Sequence, residues 1–395
     1  MSLSIVVVGA GVCGLSTAWH VLELADAPVE VTVLDMAHPG AGTSGLSVGM
    51  VETQFSSADA IETRAYGRGF YDRLCRDHDA AFTRSGYLRL GRTENDLAGF
   101  RRSVALQAEF GITDAQVLDP DRITAAWPDL VLGEDVVGGL LGRSDGYVDA
   151  FEVCSVLAAR LRAQGVRILP STRITDARRD SGRWRVTTTG PHLDADCVMN
   201  AAGRWAPEVA ALLEAPVEIS NQLYGVVAAN LVRPPVRPLP FVMDYIPGSG
   251  IPGVYFRQEG HGQLIAGLHS EDGNFQEAAP SLRPRPLDEA SVVLIAELLS
   301  GRVHGADEAT VNATWTGVCA MTADGHPAVG LHPSRAGVVN AVGAGASGIQ
   351  LAPAIGRQAA QAALGLPSSL RADHPWNSRT SGAGSISPSA RSRTP

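Results

Sequence analysis

The 395-residue chain contains no lysine; all 32 of its basic residues are arginine. This excludes Schiff-base chemistry on a lysine, the phosphate lysine of a P-loop, and any lysine acting on substrate or oxygen. Cysteine is scarce. Cys13, Cys75, Cys154, Cys197 and Cys319 are scattered, and no two form a C-x-x-C pair. Neither a zinc site nor a disulfide framework is expected. No apolar run reaches the ~18 residues that suggest a bilayer-spanning helix. The opening MSLSIVVVGAG has no basic segment ahead of a separate apolar core, so no signal peptide is expected. These absences point to a soluble, reducing, cytoplasmic setting without membrane contact. The net charge of −9 argues against a general nucleic-acid surface, which needs a basic stripe.

What is present is a large apolar fraction, 45%, and 43 glycines. At ~150 residues per domain the length suggests two or three domains or an interleaved pair. SIVVVGAGVCGLSTAWHVLE reads as strand, glycine turn and helix, and VEVTVLD as a buried parallel strand. Residues 58–80, 94–111, 151–164 and 287–301 read as helices. Short alternating stretches between Gln222 and Gly267 read as a second, largely antiparallel sheet. From Pro367 to Pro395 the composition is that of a disordered tail.

Gly9, Gly11 and Gly14 form G-x-G-x-x-G between the first strand and the first helix. Gly9 makes the tight turn, Gly11 lets a pyrophosphate approach the backbone, and Gly14 lets helix and strand pack closely. Phosphates then face the free N–H groups at the helix start. Asp35 closes the second strand, where its carboxylate accepts ribose hydroxyls and repels a 2′-phosphate. Strand, spacing, helix and acid agree on a dinucleotide without that phosphate.

The order of the remaining glycine-rich blocks resembles the flavoprotein superfamily of D-amino acid oxidase, glycine oxidase and sarcosine oxidase. The blocks are residues 6–22, 40–55, 146–169, 198–209 and 322–356. The resemblance implies a mixed α/β and α+β fold, with a doubly wound, Rossmann-like FAD-binding domain and an interleaved antiparallel-sheet substrate domain. The expected division is 1–85, 140–220 and 310–366 for FAD, and 86–139 and 221–309 for substrate. A flavin hydroxylase shares the first block but carries a late glycine-aspartate motif; Ala344, Ala346 and Ser347 fill that place here.

By position in the family, Val12 and Cys13 follow the pyrophosphate turn and Met36 follows Asp35. Gly42, Thr43, Ser44, Gly45 and Ser47 line flavin and pyrophosphate. Backbone at Arg173 and Ile174 faces the adenine. Ala201, Ala202, Gly203 and Trp205 close over the ribityl chain. Gly343, Gly345, Ala346, Ser347, Gly348, Ile349 and Gln350 bring main-chain N–H groups to the flavin, and Gly317 lies in the segment that holds a covalent flavin cysteine in some members. Cys319 is two residues off that place, so FAD is expected without a covalent link.

The implied chemistry is oxidation of a C–N bond in an amine or amino acid. The α C–H faces flavin N5, water hydrolyses the imine, and oxygen takes the electrons to give hydrogen peroxide. A related dehydrogenase with another acceptor, or a non-catalytic flavin subunit of a larger complex, remains open, as does the oligomeric state. Family members hold a substrate carboxylate with cations at positions occupied here by Glu52, Gln350 and Cys319. Arg257 is then the first candidate clamp, with Arg64 and Arg68 expected at the surface. His269 and Tyr255, with Tyr224, are candidates for substrate or oxygen contacts, and Glu52 for a cationic amine.

Overall fold

The computed structural model describes residues 2–78, 80–245, 250–269 and 277–378. Two sheets organise them. The first has six strands, in the order Ala328–Leu331, Val338–Val342, Cys197–Asn200, Leu3–Val8, Val29–Leu34 and Arg167–Leu169. All neighbours are parallel except the edge strand Ala328–Leu331. The central strands are almost wholly apolar because both faces of the sheet are covered. On one face helices Val12–Leu24, Ala150–Ala163 and Gly348–Leu364 bury Leu15, Val21, Leu157, Ile355 and their neighbours. On the other, a three-stranded antiparallel sheet and helix Ala206–Leu212 enclose Trp184 and Val209.

The expected helices are present, and their caps explain their limits. Asp149 accepts the Glu152 N–H and starts Ala150–Ala163, and Asp288 accepts the Ser291 N–H ahead of Glu289–Ser300. Helices Val12–Leu24 and Gly348–Leu364 cross at Gly356. A Cβ there would lie 2.5 Å from the Ser16 carbonyl carbon, so only glycine permits this approach.

The second sheet has eight strands: Thr310–Met321, Ser220–Asn230, Gln263–His269, Gly253–Glu259, Phe241–Asp244, Tyr87–Gly91, Gly138–Gly142 and Ala115–Leu118. It is antiparallel apart from the Phe241–Asp244/Tyr87–Gly91 pair. Helix Glu289–Ser300 packs on it through Ile295 and Leu299. Two of the expected division points move. Thr310–Met321 pairs along Ser220–Asn230 and Gly138–Gly142 pairs with Tyr87–Gly91, so both strands belong with the eight-stranded sheet. Long-range pairing, invisible in local composition, assigns them.

The expected tail also begins later. Residues 367–378 are ordered: Trp376 is 2% exposed and His374 4%, and the Arg371 N–H donates to Glu62 at 3.0 Å. Composition there is polar, but one tryptophan reaching the core outweighs it. Residues 379–395 of that expectation lie outside the described residues.

His20 gives this core a pH dependence. It is fully buried; Nδ1 pairs with the Ser16 carbonyl at 2.7 Å and Nε2 with the Tyr66 hydroxyl at 2.8 Å. Burial, followed by Arg357 and Arg73, pushes its pKa down from 6.5 to about 4. The unfolded chain therefore takes up this proton first as pH falls. The stability from neutral His20 is complete above pH 6.5 and is lost towards pH 4, by about 3 kcal/mol. Urea midpoints from pH 7 to 4 are expected to fall less in His20→Gln than in the parent protein; equal slopes would refute this.

Candidate active site

The C-terminal ends of the parallel strands open into a groove, as expected where a doubly wound sheet binds ligands. Its volume is about 600 Å³. Gly9 has φ +109°, and a Cβ there would sit 2.4 Å from the Ala201 carbonyl oxygen. A Cβ on Gly14 would sit 1.9 Å from the Gly9 carbonyl oxygen. The helix start is therefore pressed onto the strand, with Gly11, Val12 and Cys13 lining the groove. Ser44 Oγ accepts the Val12 N–H at 3.1 Å, and Thr43 Oγ1 donates to the Val318 carbonyl at 2.5 Å. These contacts pin the second glycine loop against both the helix start and the eight-stranded sheet.

Asp35 holds the loops as well as facing the groove. Its two oxygens accept the Ala10 and Ala37 N–H groups, each at 2.8 Å, and the side chain retains lone pairs toward the cavity. Met36, Gly42, Arg173 and Ile174 line the same groove, as do Ala201, Ala202, Gly203 and Trp205. A glycine cradle that a Cβ would fill, an acid at the strand end and a helix start facing the groove fit a dinucleotide without a 2′-phosphate.

The groove continues into a chamber of about 160 Å³ between the two sheets. Its cofactor-side wall holds Ser47 with Gly343, Gly345, Ala346, Gly348 and Ile349. Gly343 (φ +79°) and Gly345 (φ +60°) turn the loop. The 3-10 turn Gly345–Ser347 leads directly into helix Gly348–Leu364, which starts without a side-chain cap. The sheet-side wall holds Tyr224, Tyr255, Trp315, Gly317 and Cys319. Residues 315, 317 and 319 alternate along Thr310–Met321, which puts all three on one face.

Several residues singled out in the sequence lie elsewhere. Gly14, Gly45 and Ser347 shape the loops without lining either cavity. Arg257 is committed internally: Nε donates to the Val48 carbonyl at 3.0 Å, the guanidinium pairs with Glu259, and it lies 3.9 Å over the Tyr147 ring. His269 stacks edge-on against Tyr245 at 4.4 Å and does not line the chamber. Glu52 is 1% exposed and Gln350 is fully buried, one layer behind it. Glu52 accepts the Gln54 N–H at 2.6 Å, and its own N–H donates to Gln350 Oε1 at 3.3 Å. Burial raises the Glu52 pKa, opposed by Arg89 and then Arg64. Arg64 and Arg68 are not surface residues. Arg64 lies 3.7 Å over Phe55, and Arg68 pairs with fully buried Asp145 at 3.2 Å.

Sequence reasoning missed Trp315 and Arg204. The alternation that carries Cys319 and Gly317 to the chamber also carries Trp315, and this signal was available. Arg204 stands between Gly203 and Trp205, and no local pattern distinguishes it from a surface arginine. Burial pushes the Cys319 thiol up to about 12, with Arg204 opposing, so it is a neutral thiol. Burial likewise raises the Tyr224 and Tyr255 phenols, keeping them protonated.

Comparison with known proteins agrees with this geometry. The model of the family described as FAD dependent oxidoreductase matches residues 4–362. Glycine oxidase of Geobacillus kaustophilus is 26% identical over 89% of this chain and 90% of its own. Mitochondrial dimethylglycine dehydrogenase of Rattus norvegicus is 27% identical over 68% of this chain, which corresponds to only 31% of that protein. Among solved structures, L-proline dehydrogenase from P. horikoshii superposes with a TM-score of 0.82 at 21% identity, covering 96% of each chain.

Proposed function

We infer the function from one premise: this chain belongs to the FAD dependent oxidoreductase family. It is an FAD-dependent enzyme, and we take its substrate to be an amine or amino acid oxidised at a C–N bond to the imine. The observation that carries this reading is the chamber itself. It opens directly from the dinucleotide groove, lies beside the late glycine loop, and is walled by neutral phenols, an indole and a thiol. Glycine oxidase, dimethylglycine dehydrogenase and L-proline dehydrogenase, by name, all act on amino compounds, which supports the same substrate class here.

Bound FAD supplies the hydride acceptor. The chain supplies position and medium. Low polarity in the chamber favours the neutral amine over the ammonium, leaving the nitrogen lone pair available. Tyr224 and Tyr255 orient the substrate, and Trp315, whose Nε1 donates to the Leu46 carbonyl at 3.0 Å, closes the wall against water. The positive dipole end of helix Gly348–Leu364 favours negative charge developing on the cofactor. No strong base is required.

An anaerobic survey of primary, secondary and N-methylated amino acids and amines tests this reading. At least one should bleach the flavin absorbance, and readmitted air should restore it with release of hydrogen peroxide. Recovery only with an added dye would assign a dehydrogenase, and no bleaching by any amine would refute the reading. Because Gly317 stands where some members of the resembled superfamily carry the flavin cysteine and Cys319 is two residues away, we also propose that FAD is held without a covalent bond. Cys319→Ser is expected to retain its flavin content within about twofold; a colourless variant would count against it.

A further inference from the structure

Arg204 is the only charged side chain among the described residues lining the chamber, and it also lines the dinucleotide groove. It is 9% exposed. Its guanidinium lies 4.1 Å over the Trp205 ring, Nε has no hydrogen-bond partner, and it forms no ion pair with a carboxylate among the described residues. A buried arginine ordinarily has an anionic partner, because an unpaired buried charge is expensive. Burial lowers the Arg204 pKa, with Cys319 its electrostatic neighbour.

We propose that Arg204 binds the carboxylate of the substrate, so that this enzyme acts on amino acids and not on simple amines. The inference rests on the functional reading above and narrows it. Three observations favour the chamber over the cofactor phosphates as the location of the missing anion. Arg204 has Cys319, on the sheet side, as its electrostatic neighbour. Its carbonyl accepts a hydrogen bond from Asn221 Nδ2 at 3.0 Å, and Asn221 belongs to strand Ser220–Asn230 of the eight-stranded sheet. The phosphate end of the groove already has the start of helix Val12–Leu24 together with Thr43 and Ser44. Arginine is also suited to a carboxylate, because its planar fork meets both oxygens. The remaining chamber wall, with Tyr224, Tyr255, Trp315 and Cys319, provides no alternative cation.

The experiment titrates holoenzyme with propionate and benzoate, and separately with propionamide and benzamide, following the flavin difference spectrum. In the parent protein the carboxylates are expected to bind saturably and the amides at least ~30-fold more weakly. Arg204→Met should weaken carboxylate binding by a similar factor, with Arg204→Lys recovering part of it, while flavin content stays unchanged. Equal carboxylate binding by Arg204→Met, or carboxylates and amides binding alike in the parent, overturns the assignment. So does loss of FAD from Arg204→Met and Arg204→Lys, which would give Arg204 to the cofactor phosphates. Should Arg204→Met fail to fold, the carboxylate-against-amide comparison in the parent and Arg204→Lys decide. Carboxylate binding through Arg204 in a protein that no amine bleaches would leave this site standing and sink the oxidation chemistry.

Discussion

Gly14→Ala is expected to purify nearly free of flavin. The added methyl would lie 1.9 Å from the Gly9 carbonyl oxygen and 3.1 Å from its carbon. Both are backbone atoms of a strand end that already has φ +109° and lies against Ala201. Neither can rotate aside, so the first turn of Val12–Leu24 must move away from the strand. That shift carries the Gly11–Cys13 backbone away from the pyrophosphate position. Overpacking of this kind costs about 3 kcal/mol, or about 100-fold in cofactor affinity. Gly99→Ala is the control. It lies on helix Glu94–Glu109, where the added methyl would meet the Arg102 guanidinium tip at 3.6 Å, an ordinary contact. The ratio of flavin to protein absorbance should collapse in the first variant and hold in the second. A fully yellow Gly14→Ala protein would mean that the glycine turn does not carry the cofactor.

Glu52→Leu is expected to destabilise the protein by about 3–5 kcal/mol, with no selective loss for cationic amines. Glu52 is 1% exposed, and Arg89 and Arg64 are the charges that offset its burial. Arg64 Nε and Arg89 Nε have no hydrogen-bond partner among the described residues. Removing one member of a buried charge cluster leaves the others uncompensated, which is the origin of the large cost. Leucine also removes the acceptor for the Gln54 N–H. Glu52→Gln keeps an acceptor of the same shape but removes the same charge, so it should cost less only by the hydrogen bond to the Gln54 N–H. Urea unfolding gives the stability change, and Michaelis constants for a cationic and a neutral amine give the comparison. A stable Glu52→Leu protein with a raised constant for cationic amines alone would place Glu52 in contact with substrate.

The cofactor half of the site was legible in the sequence because its physics is local. A glycine that must turn, a glycine that must admit a helix, and an acid at a strand end are fixed by neighbours within a few residues. The strands around Gly9 and Asp35 follow from β-branched runs, and the helices after Gly11 and at Gly348 from the glycine turns that precede them. The substrate half was less legible. Arg257 reads as a clamp on a strand, yet Val48, Tyr147 and Glu259, from three different segments, absorb it. Arg64 and Arg68 read as a polar helix face, but buried Glu52 and Asp145 lie opposite that face. Arg204 becomes distinctive only when its surroundings show that no carboxylate among the described residues pairs with it. Each of these depends on which distant side chain stands opposite, and periodicity does not record that.

Everything proposed for the site requires FAD held in the groove by backbone turns and packing, without a covalent bond. The deciding measurement is the absorption spectrum of purified protein, repeated on supernatant and pellet after acid precipitation. Flavin bands of about one FAD per chain should be recovered in the supernatant. A yellow pellet would contradict the non-covalent assignment and turn attention to Cys319, and the absence of flavin from both fractions would contradict the reading of groove and chamber together.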